Sequence, residues 1–149
     1  MKKVLFVINT LGCAGAETAL IQLLKSLDEK EYEISLYVLM GQGEMIDKIP
    51  EHVKLLNKHY CKDSVLSGQG KRAMMKTVWR TFWKNGEVLG KFAYIVRTFS
   101  AMRKTGKIQP DKILWRVISD GSPRFEETYD LAVAYLEGGS AYYVAEHVK

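Results

Sequence analysis

Cysteine is scarce in this 149-residue chain. Cys13 and Cys61 are its two cysteines, 47 residues lie between them, and no disulfide framework can be built from them. With no leader ahead of them, they read as free thiols of a reducing compartment, which predicts a cytoplasmic protein. Long apolar runs are missing as well. None approaches the ~20 residues a membrane span requires, and Met1 to Asn9 is too short and ends too polar for a secretory signal, so it reads as a first strand. The three histidines, His52, His59 and His147, stand outside any C-x-x-C or H-E-x-x-H spacing, so no metal site is expected. G-x-S-x-G, G-x-G-x-x-G and G-x-x-x-x-G-K-[ST] are also absent, and Gly68-Gln69-Gly70-Lys71-Arg72 resembles the last only superficially. There is no internal repeat and no linker, so one domain is expected. At 47% apolar and 26% charged residues the composition is that of a globular domain, long enough to bury about two-thirds of its unfolded surface.

What is present is an alternation of buried strands and amphipathic helices. Val4 to Ile8 is a continuous apolar run rich in β-branched residues, the pattern of a strand covered on both faces in a parallel sheet. A loop of small residues follows, and Leu20, Leu23, Leu24 and Leu27 then recur along one helical face. Ile34, Leu36 and Val38 mark a second strand, completing a βαβ unit of about 40 residues. Glu44 to Ile49 suits a short helix ending near Pro50, and Val53 to Leu56 a short third strand. Residues 110–124 read as irregular or helical. Leu131 to Leu136 is a further buried strand, and Ala141 to Val148 opens another helix.

Two turns carry chemistry. Gly12-Cys13-Ala14-Gly15-Ala16-Glu17 lies between a parallel strand and a helix N-terminus, where unpaired N–H groups and the helix dipole receive a phosphate or a sugar hydroxyl. Gly12, Gly15, Ala16 and Glu17 are its candidate binding residues. The plainer alternative is a turn where glycine only satisfies backbone geometry and Glu17 complements the dipole. Glu137, Gly138, Gly139 and Ser140 form the second turn, again at the carboxyl end of a strand, where open α/β sheets bind ligands. Its plainer reading makes Ser140 a helix N-cap.

The charge is uneven. Residues 69–107 hold ten of the 22 Lys and Arg and one acid, Glu87, which leaves 12 cations against 16 acids elsewhere. This segment predicts two helices joined near Asn85-Gly86. Met74, Met75, Val78, Trp79, Phe82 and Trp83 form one apolar stripe opposite Lys76, Arg80 and Lys84. Lys76, Trp79, Arg80, Trp83, Lys84, Arg97 and Arg103 are therefore candidates for contact with a peripheral anionic membrane. Stacking of single-stranded nucleic acid is a rival use that ranks below it, and packing of both helices on the sheet under a solvated cationic face is the plain reading.

Val4 to Leu11 with Gly12, Gly15, Ala16 and Glu17, then Leu23-Leu24, Leu27-Asp28 and Tyr32 to Leu39, resemble the opening of GT-B-fold glycosyltransferases, specifically the retaining family 4 enzymes of polysaccharide and lipid-linked glycan synthesis. Tyr129 to Gly138 resembles that family's later strand and acceptor-side loop. Residues 60–125 carry no such likeness, and Ala14 stands where many relatives have glycine. The resemblance implies a Rossmann-like three-layer αβα domain with a mostly parallel sheet and a helical basic insert. It implies an acceptor-side domain over 1–149, with Gly12 to Glu17 facing the donor diphosphate and Glu137 to Ser140 facing a glycan or lipid-linked acceptor. The family's donor-binding E-x7-E pair has no counterpart, since no two glutamates are eight apart. The resemblance therefore implies a fragment lacking its C-terminal domain, inactive alone, binding no cofactor itself, with the nucleotide-sugar held by the missing half. A stand-alone α/β module with a basic membrane- or nucleic-acid-binding surface is the competing class, because fold alone does not choose.

Overall fold

The computed structural model describes residues 1–83 and 110–149, with 92, 93, 96, 100 and 103 between them. Lys2–Ile8 forms strand β1, Gly15–Ser26 helix α1, Tyr32–Val38 β2, Val53–Leu55 β3, Gly68–Trp83 α2, Pro110–Gly121 α3, Leu131–Tyr135 β4 and Gly139–His147 α4. A 3-10 turn, Glu44–Lys48, stands where the short helix was expected. All four strands are parallel, in the order β3-β2-β1-β4. That order is shared by the first four strands of doubly wound sheets and is compatible with a Rossmann-like fold.

β1 sits in the middle because its side chains are apolar on both faces. Val4, Phe6 and Ile8 pack with Leu20, Ile21 and Leu24 of α1, whereas Leu5 and Val7 pack with Ile118 of α3 and Tyr143 of α4. Helices therefore cover both faces. α2 joins the second cluster through Met74 and Val78.

The pattern misleads in two places, at β4 and along α2. β4 was expected to be a buried strand, yet it pairs only with β1 among the described strands, and Leu131 is 55% exposed. Of the two readings of residues 110–124, irregular or helical, the helical one holds over Pro110–Gly121. The apolar stripe of α2 divides: Met74 and Val78 turn inward, while Met75, Trp79 and Trp83 remain more than half exposed. The joint at Asn85-Gly86, and with it Lys84 and Arg97, lies outside the described residues.

Candidate functional site

Ile8 pairs with Tyr135, so the carboxyl ends of β1 and β4 are neighbours. The chain leaves β1 towards β2 on one side while β4 lies on the other, which makes this the switch point of the sheet, the place where open α/β sheets form a crevice. Both turns singled out in the sequence border it, Gly12 to Glu17 after β1 and Glu137 to Ser140 after β4.

Asn9 ties the two turns together. Its Nδ2 donates to the Glu137 carbonyl at 2.8 Å, and its Oδ1 accepts from the Ser140 N–H at 2.9 Å. Replacing Asn9 by alanine removes both bonds, so we expect a loss of about 2 kcal/mol at ~1 kcal/mol per bond. Urea denaturation measures this, and a change within 0.5 kcal/mol of zero would show the clasp to be dispensable.

The glycines of the two turns answer to different causes. Gly138 has φ +99, and a Cβ there would meet the Trp115 indole at 3.2 Å; one on Gly139 would come within 2.4 Å of Leu39 Cδ2 and 2.9 Å of Trp115 Cε3. Packing under Trp115 therefore requires this pair. Leu136, just before it, holds φ +81, a conformation a bulky residue rarely adopts. Ser140 is buried, and its hydroxyl donates to the Leu136 carbonyl at 2.8 Å. It is not the N-cap: that position is Gly138, with no side-chain cap. The reason is Asn9, whose Oδ1 takes the Ser140 N–H from across the sheet. Of the four residues, Glu137 is exposed, Gly138 partly so, and Gly139 and Ser140 are enclosed.

Gly12 and Gly15 are under no such demand. Neither has a positive φ, a Cβ on Gly15 meets nothing within 4 Å, and one on Gly12 would make ordinary contact with Glu44 Oε2 at 3.6 Å. The fold accepts other residues at both positions. α1 begins at Gly15 with no side-chain cap from Ala14, so its first-turn N–H groups have no partner of the helix's own. Glu17 is 8% exposed in that turn, and Ala16 is half-buried. At the other end of the loop Glu44 brings a carboxylate beside Gly12, which suits a hydroxyl donor there. The anion-attracting part of the turn is its Gly15–Ala16 end.

Three of these participants escaped the sequence reading. Asn9 and Trp115 act through partners more than 20 residues away, and Glu44 through a turn that folds back on Leu11, where the Met45 N–H meets the Leu11 carbonyl at 3.1 Å. The polar residue closing β1 was the one local sign.

The basic candidates lie elsewhere. Lys76, Trp79, Arg80 and Trp83 are exposed on α2, and Arg103 is exposed and helical. Both cysteines are free, Cys13 exposed and Cys61 partly buried. Asp120, Glu146 and His147 form the one group among the described residues with metal-like spacing, their ligand atoms within 4.8 Å of one another. They already serve one another and Arg116: His147 Nε2 lies 3.2 Å from Asp120 Oδ1 and Arg116 3.3 Å from Glu146. The group sits near the far ends of α3 and α4, away from the crevice.

Comparison of the chain with protein-family models, with curated proteins and with solved structures gives no match.

Proposed function

We propose that this chain is the acceptor-side domain of a retaining glycosyltransferase, moving a sugar from a nucleotide-sugar to a glycan or lipid-linked acceptor. One observation carries the reading. The turn after β1 keeps glycine at positions 12 and 15 that neither backbone angle nor packing requires, at the mouth of an uncapped helix beside the switch point. Close approach of a ligand is the remaining use for those missing side chains. The sugar's hydroxyls would meet Glu44 and Glu137, and the diphosphate the Gly15–Ala16 N–H groups.

One wall of a cleft cannot assemble donor, acceptor and charge stabilisation in a water-poor site. The reading therefore places the donor-binding half in a further domain and makes these 149 residues inactive by themselves. Its finer fold is the Rossmann-like three-layer domain of that enzyme class. It is located in the cytoplasm, peripheral on the inner membrane face, with the exposed aromatic and cationic face of α2 as the contact.

Gly15 supplies the test. Gly15 is exposed and a Cβ there meets nothing within 4 Å, so alanine or tryptophan at this position should change the unfolding free energy from urea denaturation by no more than about 0.5 kcal/mol. In the enzyme containing both halves, Gly15→Trp should lower transfer about 100-fold or more while Gly15→Ala costs little, because only the indole fills the ligand's place. Undiminished transfer by Gly15→Trp would remove this turn from the reaction.

A further inference from the structure

A second concavity lies on the same edge of the sheet but on the other side of β2. Two adjoining cavities of about 420 and 390 Å³ run between the residues following β2 and β3 and the inner face of α2, sharing Met40, Gly41, His59, Thr77 and Arg80. Tyr37, Leu39, Leu56 and Phe125 give the larger one an apolar wall, and Arg80 and Lys58 give it cations; Lys76 joins Arg80 in the smaller. Among the described residues no Asp or Glu lines either cavity. Nor does any carboxylate pair with Lys58, Lys76 or Arg80 among the described residues.

The groove is built rather than incidental. Asn57 holds its floor by a two-way clasp on Val38, accepting from the backbone N–H at 2.9 Å and donating to the carbonyl at 2.7 Å. Gly41 has φ +59, and a Cβ there would reach the His59 carbonyl oxygen at 2.9 Å, so the chain pinches together at the mouth. On the opposite side Gly121 lets α3 touch α2 at Thr81, beside Arg80, where a Cβ would lie 2.2 Å from the Thr81 carbonyl oxygen. Tyr37 packs edge-on to Phe125 at 5.0 Å. Burial raises the Tyr37 phenol above its ordinary range, while a hydrogen bond with Ser122 and the charge of Arg80 pull the other way. The guanidinium's field thus reaches the apolar wall.

Unpaired cations over an apolar wall describe one class of ligand. We propose that this groove binds a phosphate monoester carried on an alkyl or aromatic body, the anion held by Arg80 and Lys58 and the body laid against Tyr37, Leu56 and Phe125. Arg80 contributes a planar fork of donors matched to phosphate oxygens, and the wall selects against the bare, strongly hydrated ion. The site is distinct from the crevice at β1 and β4 and does not depend on the glycosyl-transfer reading.

The test is an amide-resolved NMR titration of the 149-residue chain with hexyl phosphate, inorganic phosphate and hexanol. Hexyl phosphate should bind saturably and shift the amides of Met40, Gly41, His59 and Thr77, with inorganic phosphate and hexanol each about tenfold weaker or worse. Arg80→Gln and Lys58→Gln, both on exposed residues, should each weaken hexyl phosphate about tenfold while leaving distant amides unmoved. Competition by phosphatidic acid vesicles would assign the phosphate to a lipid headgroup, and its lack to a soluble ester. Binding insensitive to both substitutions, shifts centred on residues 12–17, or no saturable shift would overturn the proposal. Gly15→Trp should leave the titration unchanged, so failure here and failure of the transfer reading are separable.

Discussion

Gly43→Ala should lower the stability of the domain by about 4 kcal/mol, a large loss for a single added methyl group. Gly43 holds φ 144 and ψ 156, a region open essentially to glycine alone. A Cβ there would lie 2.1 Å from both the carbonyl carbon and oxygen of Leu11, so backbone has to move. Leu11 is fully buried, its N–H donates to the Gln42 carbonyl at 2.9 Å, and its own carbonyl accepts from Met45 at 3.1 Å. Relief therefore breaks one or both of these bonds, at ~1 kcal/mol each, in addition to ~1–3 kcal/mol of backbone strain. Such a loss is a large share of the ~5–15 kcal/mol typical of a domain. With a slope of ~2 kcal/mol per molar urea, the midpoint should fall by about 2 M or the chain should fail to fold. Gly12→Ala is the control, since its Cβ has room, and should change stability by less than ~0.5 kcal/mol. An unchanged midpoint for Gly43→Ala would mean that the loop does not rest on Leu11. The same contact places the turn from Gly12 to Glu17, so a folded Gly43→Ala variant should also lose whatever that turn binds.

The opening βαβ unit was legible because its physics is local. A β-branched run covered on both faces, a small-residue loop and leucines three and four apart can each be read from neighbours in the chain, and β1, α1 and β2 lie where those signals place them. The two glycine turns were legible as places. Their causes were not. A glycine required by φ, as at Gly138, and one left without a steric demand, as at Gly15, look identical in sequence, and the difference rests on Trp115 and Asn9, which arrive from other elements. Periodicity reports which residues tend to be buried and not how wide an arc finds a partner. On α2 the residues 74, 75, 78, 79, 82 and 83 span one broad apolar arc, but the sheet and α3 offer surface to only part of it. Leu131 misled for a related reason: an apolar run predicts burial, whereas β4 stands at the edge of the described strands and has β1 alone among them as a neighbour.

The uncovered part of that arc leads to the second large prediction. Met75, Trp79 and Trp83 follow one another at one-turn spacing along the exposed side of α2, with Trp79 and Trp83 stacked at 6.3 Å and an interplanar angle of 10°. Arg72, Lys76 and Arg80 repeat at the same spacing on the adjacent side and are exposed. No helix among the described residues is long and apolar enough to cross a membrane. Aromatic side chains beside a row of cations suit a helix lying in the interface, with the indoles at headgroup depth and the cations against anionic lipid. The chain should co-sediment with phosphatidylserine-containing vesicles at low salt, release at high salt as the surface charge is screened, and ignore neutral vesicles. Arg72→Gln with Lys76→Gln should weaken binding about 30-fold, at ~1 kcal/mol per cation near the surface, with Arg80 left in place for the groove. Trp79→Ser with Trp83→Ser should weaken it further by removing the buried aromatic area, and both double variants should keep the parent's urea midpoint, because these side chains already face water. Binding that survives both pairs of substitutions would move the contact off α2. Failure of the parent chain to bind anionic vesicles would return these tryptophans to a solvated or protein-covered face and turn the acceptor from a lipid-linked to a soluble glycan.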